Sequence, residues 1–290
     1  MAKRSLILQI PLILSAWSTS AGLARAADCD RDCLRGFVTQ YLNAMVTHNP
    51  GALPLASNVR FTENAVDMKL GDGLWKTASK IRPYRQDILD ARQGVAASQV
   101  IVEEAGSPVM LALRLKIADK KIAEVETQVT RSRQDGAIFN IDAIQTPSQA
   151  MNLAPARAQL NSREDAIKIA ESYPAGLKIG SFVSVDAPFA PNAYRIENGT
   201  ITAGPGCSRA GCENIKTQTI MKHPAITTRV IAVDEELGIV LLRMNFGDTG
   251  SYGPGNALVV WEAFKVYGGQ IHAVEAFMRV MPASTPSGWD

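Results

Sequence analysis

The chain has 290 residues, 46% of them hydrophobic and 20% charged, with a formal net charge of +2. That excess is confined to residues 1–26, which hold Lys3, Arg4 and Arg25 and no acid; without them 30 basic residues fall to 27, against 28 acidic. No basic run or stripe remains, which excludes nucleic acid and anionic membrane surfaces as partners, and the length suits one large domain or two small ones.

Residues 1–26 have the form of a secretory signal peptide. Lys3 and Arg4 precede an apolar run from Leu6 to Trp17, and Ala24-Arg25-Ala26 supplies a small-x-small cleavage pattern. The run is well short of the ~20 residues that a membrane span needs. The expected mature protein is therefore secreted or periplasmic and has no membrane span. Its four cysteines lie in two close pairs, Cys29/Cys33 and Cys207/Cys212. In an exported chain these read first as local structural disulfides, with crossed pairing between the sites left open.

Leu34, Phe37, Val38, Tyr41, Leu42 and Met45 recur at three- and four-residue steps and predict a first helix, which Asn49-Pro50-Gly51 stops. A short strand is expected at 59–62, followed by a glycine-containing stretch through Leu74 and Trp75. Further strands are predicted at 99–103, 109–117 and 122–130. In the second of these, Val109, Leu111, Leu113 and Leu115 alternate with Met110, Ala112, Arg114 and Lys116, the pattern of an antiparallel strand with one buried face. Tyr84-Arg85 has no periodicity around it and is expected at the surface. Residues 132–161, rich in Gln, Ser, Pro and Ala, read as a linker. A second helix starts at Ser162, a good N-cap, with Glu164 and Asp165 at its positive end, and should stop at Pro174. Strands follow at 193–196, 227–233, 238–246, 257–267 and 270–281, and the tail 283–290 is expected to be disordered.

One pattern is written twice. Pro54-Leu55-Ala56-Ser57-Asn58-Val59-Arg60-Phe61-Thr62-Glu63-Asn64 returns as Pro188-Phe189-Ala190-Pro191-Asn192-Ala193-Tyr194-Arg195-Ile196-Glu197-Asn198. The segment from Lys116 to Glu126 returns from Lys265 to Glu275. The chain thus divides into a signal peptide (1–26), a first α+β repeat (27–131), a linker (132–161), a second α+β repeat (162–282) and a tail. Asn198-Gly199-Thr200 fits a glycosylation acceptor, but the match of Asn198 to Asn64 points to a turn role. Glu63/Glu197 and Glu126/Glu275 occupy equivalent positions, and a feature kept in both copies is expected to be structural.

The amphipathic helix from Cys33 to His48, the stretch Val59 to Asn64 and the closing hairpins ending in Val125-Glu126 and Val274-Glu275 resemble the nuclear transport factor 2-like superfamily, also called SnoaL-like. The start Cys29 to Leu34 and the stretch Leu70 to Trp75 are similar to those of exported double-repeat members. The resemblance implies two tandem cone units, each a curved antiparallel sheet with packed helices. It also implies a cofactor-free pocket for a small hydrophobic, often aromatic, molecule. Superfamily enzymes include isomerases and lyases, some of which release formaldehyde from lignin-derived aromatic dimers; other members are binding or dimerisation modules. The leading expectation is an exported, cofactor-independent lyase or isomerase, and the alternative is a non-catalytic binding or dimerisation module. Self-association into a homo-oligomer is left open.

Glu262 sits inside the run Leu258 to Phe264, apolar enough to be a central strand. A carboxylate there is either ion-paired or pushed up in pKa, which is how a sheet-lined pocket obtains a general base. The first copy has Leu113 at the matching place. His223, just before Pro224, is the second acid–base candidate. Tyr41, Arg114 and Arg229 are candidates to hold a phenol or assist a departing oxygen. Trp75, Trp261 and Tyr194 are candidates to contact an aromatic ligand. Each has a plainer reading: a paired strand carboxylate, a loop histidine, core aromatics, a solvated arginine. No two histidines stand at metal-ligand spacing, and no nucleophile elbow, phosphate loop or dinucleotide fingerprint is present.

Overall fold

The structure, a computed structural model, describes residues Cys29–Trp289; the segment 1–26 expected to be a signal peptide, residues 27–28 and Asp290 lie outside the described residues. The first unit contains α1 (Arg31–Val46), β1 (Leu55–Glu63), β2 (Val66–Met68), β3 (Ala78–Asp90), β4 (Val95–Glu104), β5 (Ser107–Ala118) and β6 (Lys121–Thr130). The linker carries two one-turn helices, α2 (Arg133–Gly136) and α3 (Gln149–Asn152). The second unit contains α4 (Arg163–Ile179), β7 (Phe189–Glu197), β8 (Thr200–Ala203), β9 (Thr227–Asp234), β10 (Ile239–Asn245), β11 (Asn256–Tyr267) and β12 (Gln270–Pro282). The two sheets have the same strand order, β2-β1-β6-β5-β4-β3 and β8-β7-β12-β11-β10-β9.

The repeat extends to hydrogen-bond register. Phe61 pairs with Val125 and Thr62 with Glu126 in the first sheet; Arg195 pairs with Val274 and Ile196 with Glu275 in the second. Both pairings are parallel, so each sheet is mixed rather than wholly antiparallel as expected. Asn64 and Asn198 explain their own duplication. Each adopts a positive φ in a tight turn, and its side-chain oxygen accepts the N–H of Val129 or Met278 on the last strand. Asparagine tolerates that conformation better than most residues and pins the turn to the strand. The turn role predicted for Asn198 is the one observed.

Three cores build the molecule. In the first, α1 lays Leu34, Val38, Tyr41 and Leu42 on one face of its sheet, against Leu111, Leu113 and Leu115. In the second, α4 does the same with Ala170, Tyr173 and Leu177 against the other sheet. In the third, the remaining sheet faces meet, with Ile88, Ile101, Met110, Ile231, Leu241, Trp261 and Phe277 between them. Strand β5 is therefore buried on both faces, not one: Met110 and Ala112 are as inaccessible as Leu111 and Leu113.

Other expectations are corrected by tertiary context. Strand β3 escapes the period-2 pattern because its register shifts between Ile81 and Arg85, and because Arg85 and Asp87 pair with each other beneath α1. Tyr84, expected at the surface, is buried. Helix α4 continues through Pro174 to Ile179, since Tyr173, Pro174 and Leu177 are all buried and packing outweighs one lost backbone bond; Gly180 in the left-handed region ends it. The tail is bound rather than disordered. Ala283 donates to Gly255, the Asn245 amide to Ala283 and Thr285, and Arg229 to Ser287, while the Trp289 ring lies 4.0 Å from the Arg60 guanidinium.

The units are joined by a reciprocal clamp. Asp90 accepts the N–H of Gln93 in its own turn, the N–H of Val233 in the other unit, and two bonds from Arg163, at 2.6 and 3.0 Å. Asp234 accepts the N–H of Leu237 in its own turn, the N–H of Leu89 in the other unit, and Arg31 at 2.7 Å. The contacts exchange as they do across an isologous dimer interface. Both aspartates are almost wholly buried. Removing one partner of a buried, hydrogen-bonded charge pair typically costs about 3–5 kcal/mol. Asp90→Ala and Asp234→Ala should each lose stability on that scale, and by similar amounts, in urea unfolding; a loss near zero for either would show that its clamp is not stabilising.

Candidate functional site

Each unit has a hollow between its helix and the concave face of its sheet, and the two are filled differently. In the first, residues 69–77 turn inward. Trp75 packs edge-on to Tyr41 with ring centroids 5.2 Å apart, and its indole N–H donates to the Tyr41 hydroxyl at 2.9 Å. Glu63 fixes this plug by accepting the N–H of Leu74 at 2.9 Å. A side chain on Gly73 would drive into that carboxylate, its Cβ 2.7 Å from a carboxyl oxygen at a φ of +65°, so glycine is required there. The first hollow is closed by its own aromatic side chains.

In the second unit the longer segment 204–226, tied by the Cys207–Cys212 disulfide, stands beside the hollow. A cavity of about 350 Å³ remains, with an apolar wall from Leu177, Ile220, Phe246, Leu258 and Met278 and a polar wall from Arg195, Glu197, Gln218 and His223. Arg195 and Glu262 take the positions held by Phe61 and Leu113 in the first unit, on matching rungs of the ladders. An apolar pair in one hollow is thus an arginine and a carboxyl group in the other.

These groups form a network. Arg195 donates to Thr202 at 2.8 Å, to the Tyr173 hydroxyl at 2.9 Å and to Gln218 at 2.9 Å, and stands 3.4 Å from a Glu197 oxygen. Burial opposes its charge, but Glu197, Tyr173 and Glu262 hold its pKa above the ordinary value. Glu262 is 1% exposed, and one of its carboxyl oxygens has no hydrogen-bond partner. Burial, with the Glu197 charge adding to it, pushes the Glu262 carboxyl up to about 8 against the opposing pull of Arg195 and Tyr173. Burial lowers the pKa of His223, whose Nδ1 is enclosed without a partner. At neutral pH the site therefore combines a protonated carboxyl, a neutral imidazole and a fixed guanidinium. Among the described residues no group of three or more His, Cys, Asp or Glu could hold a metal ion.

Of the residues singled out in the sequence, the structure puts His223 in the wall of the second cavity and Glu262 outside that wall, against Arg195 and Tyr173. Tyr41 and Trp75 belong to the first hollow, where they bond to each other. Arg114 pairs with Glu124 at 2.8 Å and Arg229 with Glu126 at 2.6 Å, both in a groove between the units that Trp289 also lines. Trp261 is buried between the sheets, and the Tyr194 hydroxyl bonds to Glu275 at 2.8 Å at the unit junction. Tyr41, Arg114, Arg229, Trp75, Trp261 and Tyr194 therefore do not line the second cavity. Both cysteine pairs are local disulfides. Sequence reasoning missed Arg195, Glu197 and Tyr173. Glu197, expected to be structural because Glu63 matches it, lacks the backbone donor that Glu63 holds and faces the cavity. Comparing the copies position by position would have found Arg195 opposite Phe61.

Residues 159–278, which run from the start of the second unit into β12, match a family described as a domain of unknown function, DUF8021. No curated protein matches the chain. Among solved structures, a de novo designed protein with a curved β-sheet is similar at 17% identity and a TM-score of 0.30, over 35% of this chain and 88% of that one. No helix among the described residues is long and apolar enough to cross a membrane.

The Glu262 shift fixes a pH dependence. Its folded-state pKa, about 8, exceeds the ordinary 4.5, so the folded chain binds the extra proton and loses stability as pH rises from 4.5 to 8. Glu262→Gln removes that loss. Its stability relative to the parent should be unchanged below pH 4.5 and should rise by a few kcal/mol, on the order set by ~1.4 kcal/mol per pKa unit, by pH 8. Chemical unfolding across that range tests this, and a pH-independent difference would refute it.

Proposed function

We propose that the chain is a tandem nuclear transport factor 2-like protein in which the first cone is structural and the second performs cofactor-independent acid–base chemistry on a small, largely apolar aromatic molecule. The observation that carries this reading is the exchange of Phe61 and Leu113 for Arg195 and Glu262, which sets a guanidinium and a carboxyl group inside one of two otherwise matched hollows. A purely structural copy gains nothing from buried charges whose desolvation opposes folding. At about 350 Å³ the cavity is near the lower end of the ~300–1,000 Å³ range of small-molecule sites.

The roles follow from protonation state. His223, neutral and in the cavity wall, is the proton acceptor. Arg195 and the Tyr173 hydroxyl it holds are placed to stabilise a phenolate or another developing oxyanion. Glu262, still protonated at neutral pH, is the acid side of the pair. In the narrowest version, the substrate is a lignin-derived dimer and the product formaldehyde. The base takes the proton of a terminal hydroxyl, the adjacent carbon–carbon bond breaks, and its electron pair forms a double bond as the neighbouring oxygen departs.

Incubation of the mature protein with phenolic lignin dimers, without added cofactor or metal, should release formaldehyde. His223→Ala should slow that release by about 10²-fold or more, the usual contribution of a positioned base. The double variant Arg195→Phe/Glu262→Leu, which reinstates the first copy's apolar pair, should fold and be inactive. Binding of these dimers without turnover would reduce the reading to a binding module, and neither binding nor turnover would overturn it for this substrate class.

A further inference from the structure

A second cavity, of about 390 Å³, lies outside both hollows, where β3, β8 and β12 meet the linker segment 140–148. Tyr84, Ile144, Ile201 and Phe277 give it an apolar lining, and the Tyr84 and Phe277 rings are stacked 5.9 Å apart. The one charged group among its lining residues is Glu275, only 5% exposed.

The duplication shows what is unusual about this carboxylate. Its counterpart, Glu126, also faces the opposite unit and meets two arginines there, Arg229 at 2.6 Å and Arg243 at 3.6 Å. Those arginines are paired with each other across β9 and β10; the same rung of β3 and β4 holds Gln86 and Gln99. Where one glutamate faces two cations, the other therefore faces two amides. The side-chain oxygens of Gln86 and Gln99 are both buried without a hydrogen-bond partner. Gln99 uses its nitrogen to reach the carbonyls of Trp261 and Glu275, which fixes its oxygen as the free atom. The donors at Glu275 are neutral: Tyr194 at 2.8 Å, with Ser148 behind it at 2.9 Å, and Tyr84 alongside. Burial holds the Glu275 carboxyl above its ordinary pKa, as expected of a carboxylate with no cation beside it.

We propose that this junction cavity binds a small protonated organic amine, its ammonium on Glu275 and its apolar body against Tyr84, Ile144, Ile201 and Phe277. The ligand supplies the positive charge that Arg229 and Arg243 supply to Glu126. An ammonium is all donor, which suits a wall whose one charged group is an acceptor with only hydroxyls beside it. A carboxylate or phosphate would meet like charge, and no cationic side chain lines the cavity.

Isothermal titration of the mature full-length chain with phenethylamine and with 2-phenylethanol, its neutral counterpart, tests the assignment. The amine should bind at least about tenfold more tightly, the scale of a charge-assisted hydrogen bond. Glu275→Gln should remove that preference, and Ile144→Trp, which fills the cavity from a partly exposed wall position, should abolish binding of both compounds. If Glu275→Gln fails to fold, Ile144→Trp decides alone. Equal affinity for amine and alcohol, or amine binding that survives Ile144→Trp, would overturn the proposal.

Discussion

Asp90 and Asp234, each buried at the end of a strand and each bonded to the backbone and an arginine of the other unit, set the geometry on which the rest depends. A six-stranded sheet with a helix on one face still exposes the other, and here that other face carries Ile88, Ile101, Met110, Leu241 and Trp261. Burying such a face is worth roughly 25 cal/mol per Å², but the attraction is non-directional and does not choose a register. The aspartates choose it. Each accepts a backbone N–H from the edge strand of the other unit, so sliding one sheet over the other would unpair two buried carboxylates and two partly buried arginines together.

That contact explains why the linker is ordered. Residues 132–161 connect two units already docked back to back, and they lie along the seam. Lys265 shows how tightly. Its Nζ donates to the carbonyls of Met151 and Leu153 from the linker and of Leu237 from the β9–β10 turn. Its counterpart Lys116 reaches the Gln93 carbonyl at the equivalent turn but has no linker above it. Burial lowers the Lys265 pKa to about 8, so its charge is held against desolvation by carbonyl oxygens rather than by an ion pair.

The sequence made the duplication, the helices, the disulfide pairs and the late strands legible, because each rests on local pattern: three-and-four periodicity from Leu34 to Met45, alternation from Val109 to Ile117, short cysteine spacing. What it hid depends on contacts between elements far apart in the chain. Strand β3 carries its evidence in Arg85 and Asp87, polar residues that look solvated until α1 is placed over them. Arg114, Arg229, Trp261 and Tyr194 all lie on sheet faces that a single curved sheet would leave wet or turn into a pocket wall, and docking turns them into interface. Glu262 was legible as an anomaly, a lone carboxylate in an apolar run. Its partners were not, since Arg195 and Tyr173 reach it only through the curl of the sheet and the packing of α4.

Duplication followed by docking also relaxes a constraint on the second unit. A buried Arg195 with Glu262 and Glu197 is electrostatically expensive, and a lone domain would have to offset it from its own core. Here the first hollow is closed by Tyr41 and Trp75, and the contact between the sheets adds an apolar cluster of its own. The second hollow can hold unfilled volume and unsatisfied polar atoms, such as the Glu262 oxygen and His223 Nδ1, because the sheet beneath them is held from its other side. The asymmetry at the seam has the same origin: Glu126 is neutralised by Arg229 and Arg243, whereas Glu275, in the matching seat, is left with hydroxyls and a cavity. In both places the first copy keeps the closed, satisfied version of a feature and the second keeps the open one.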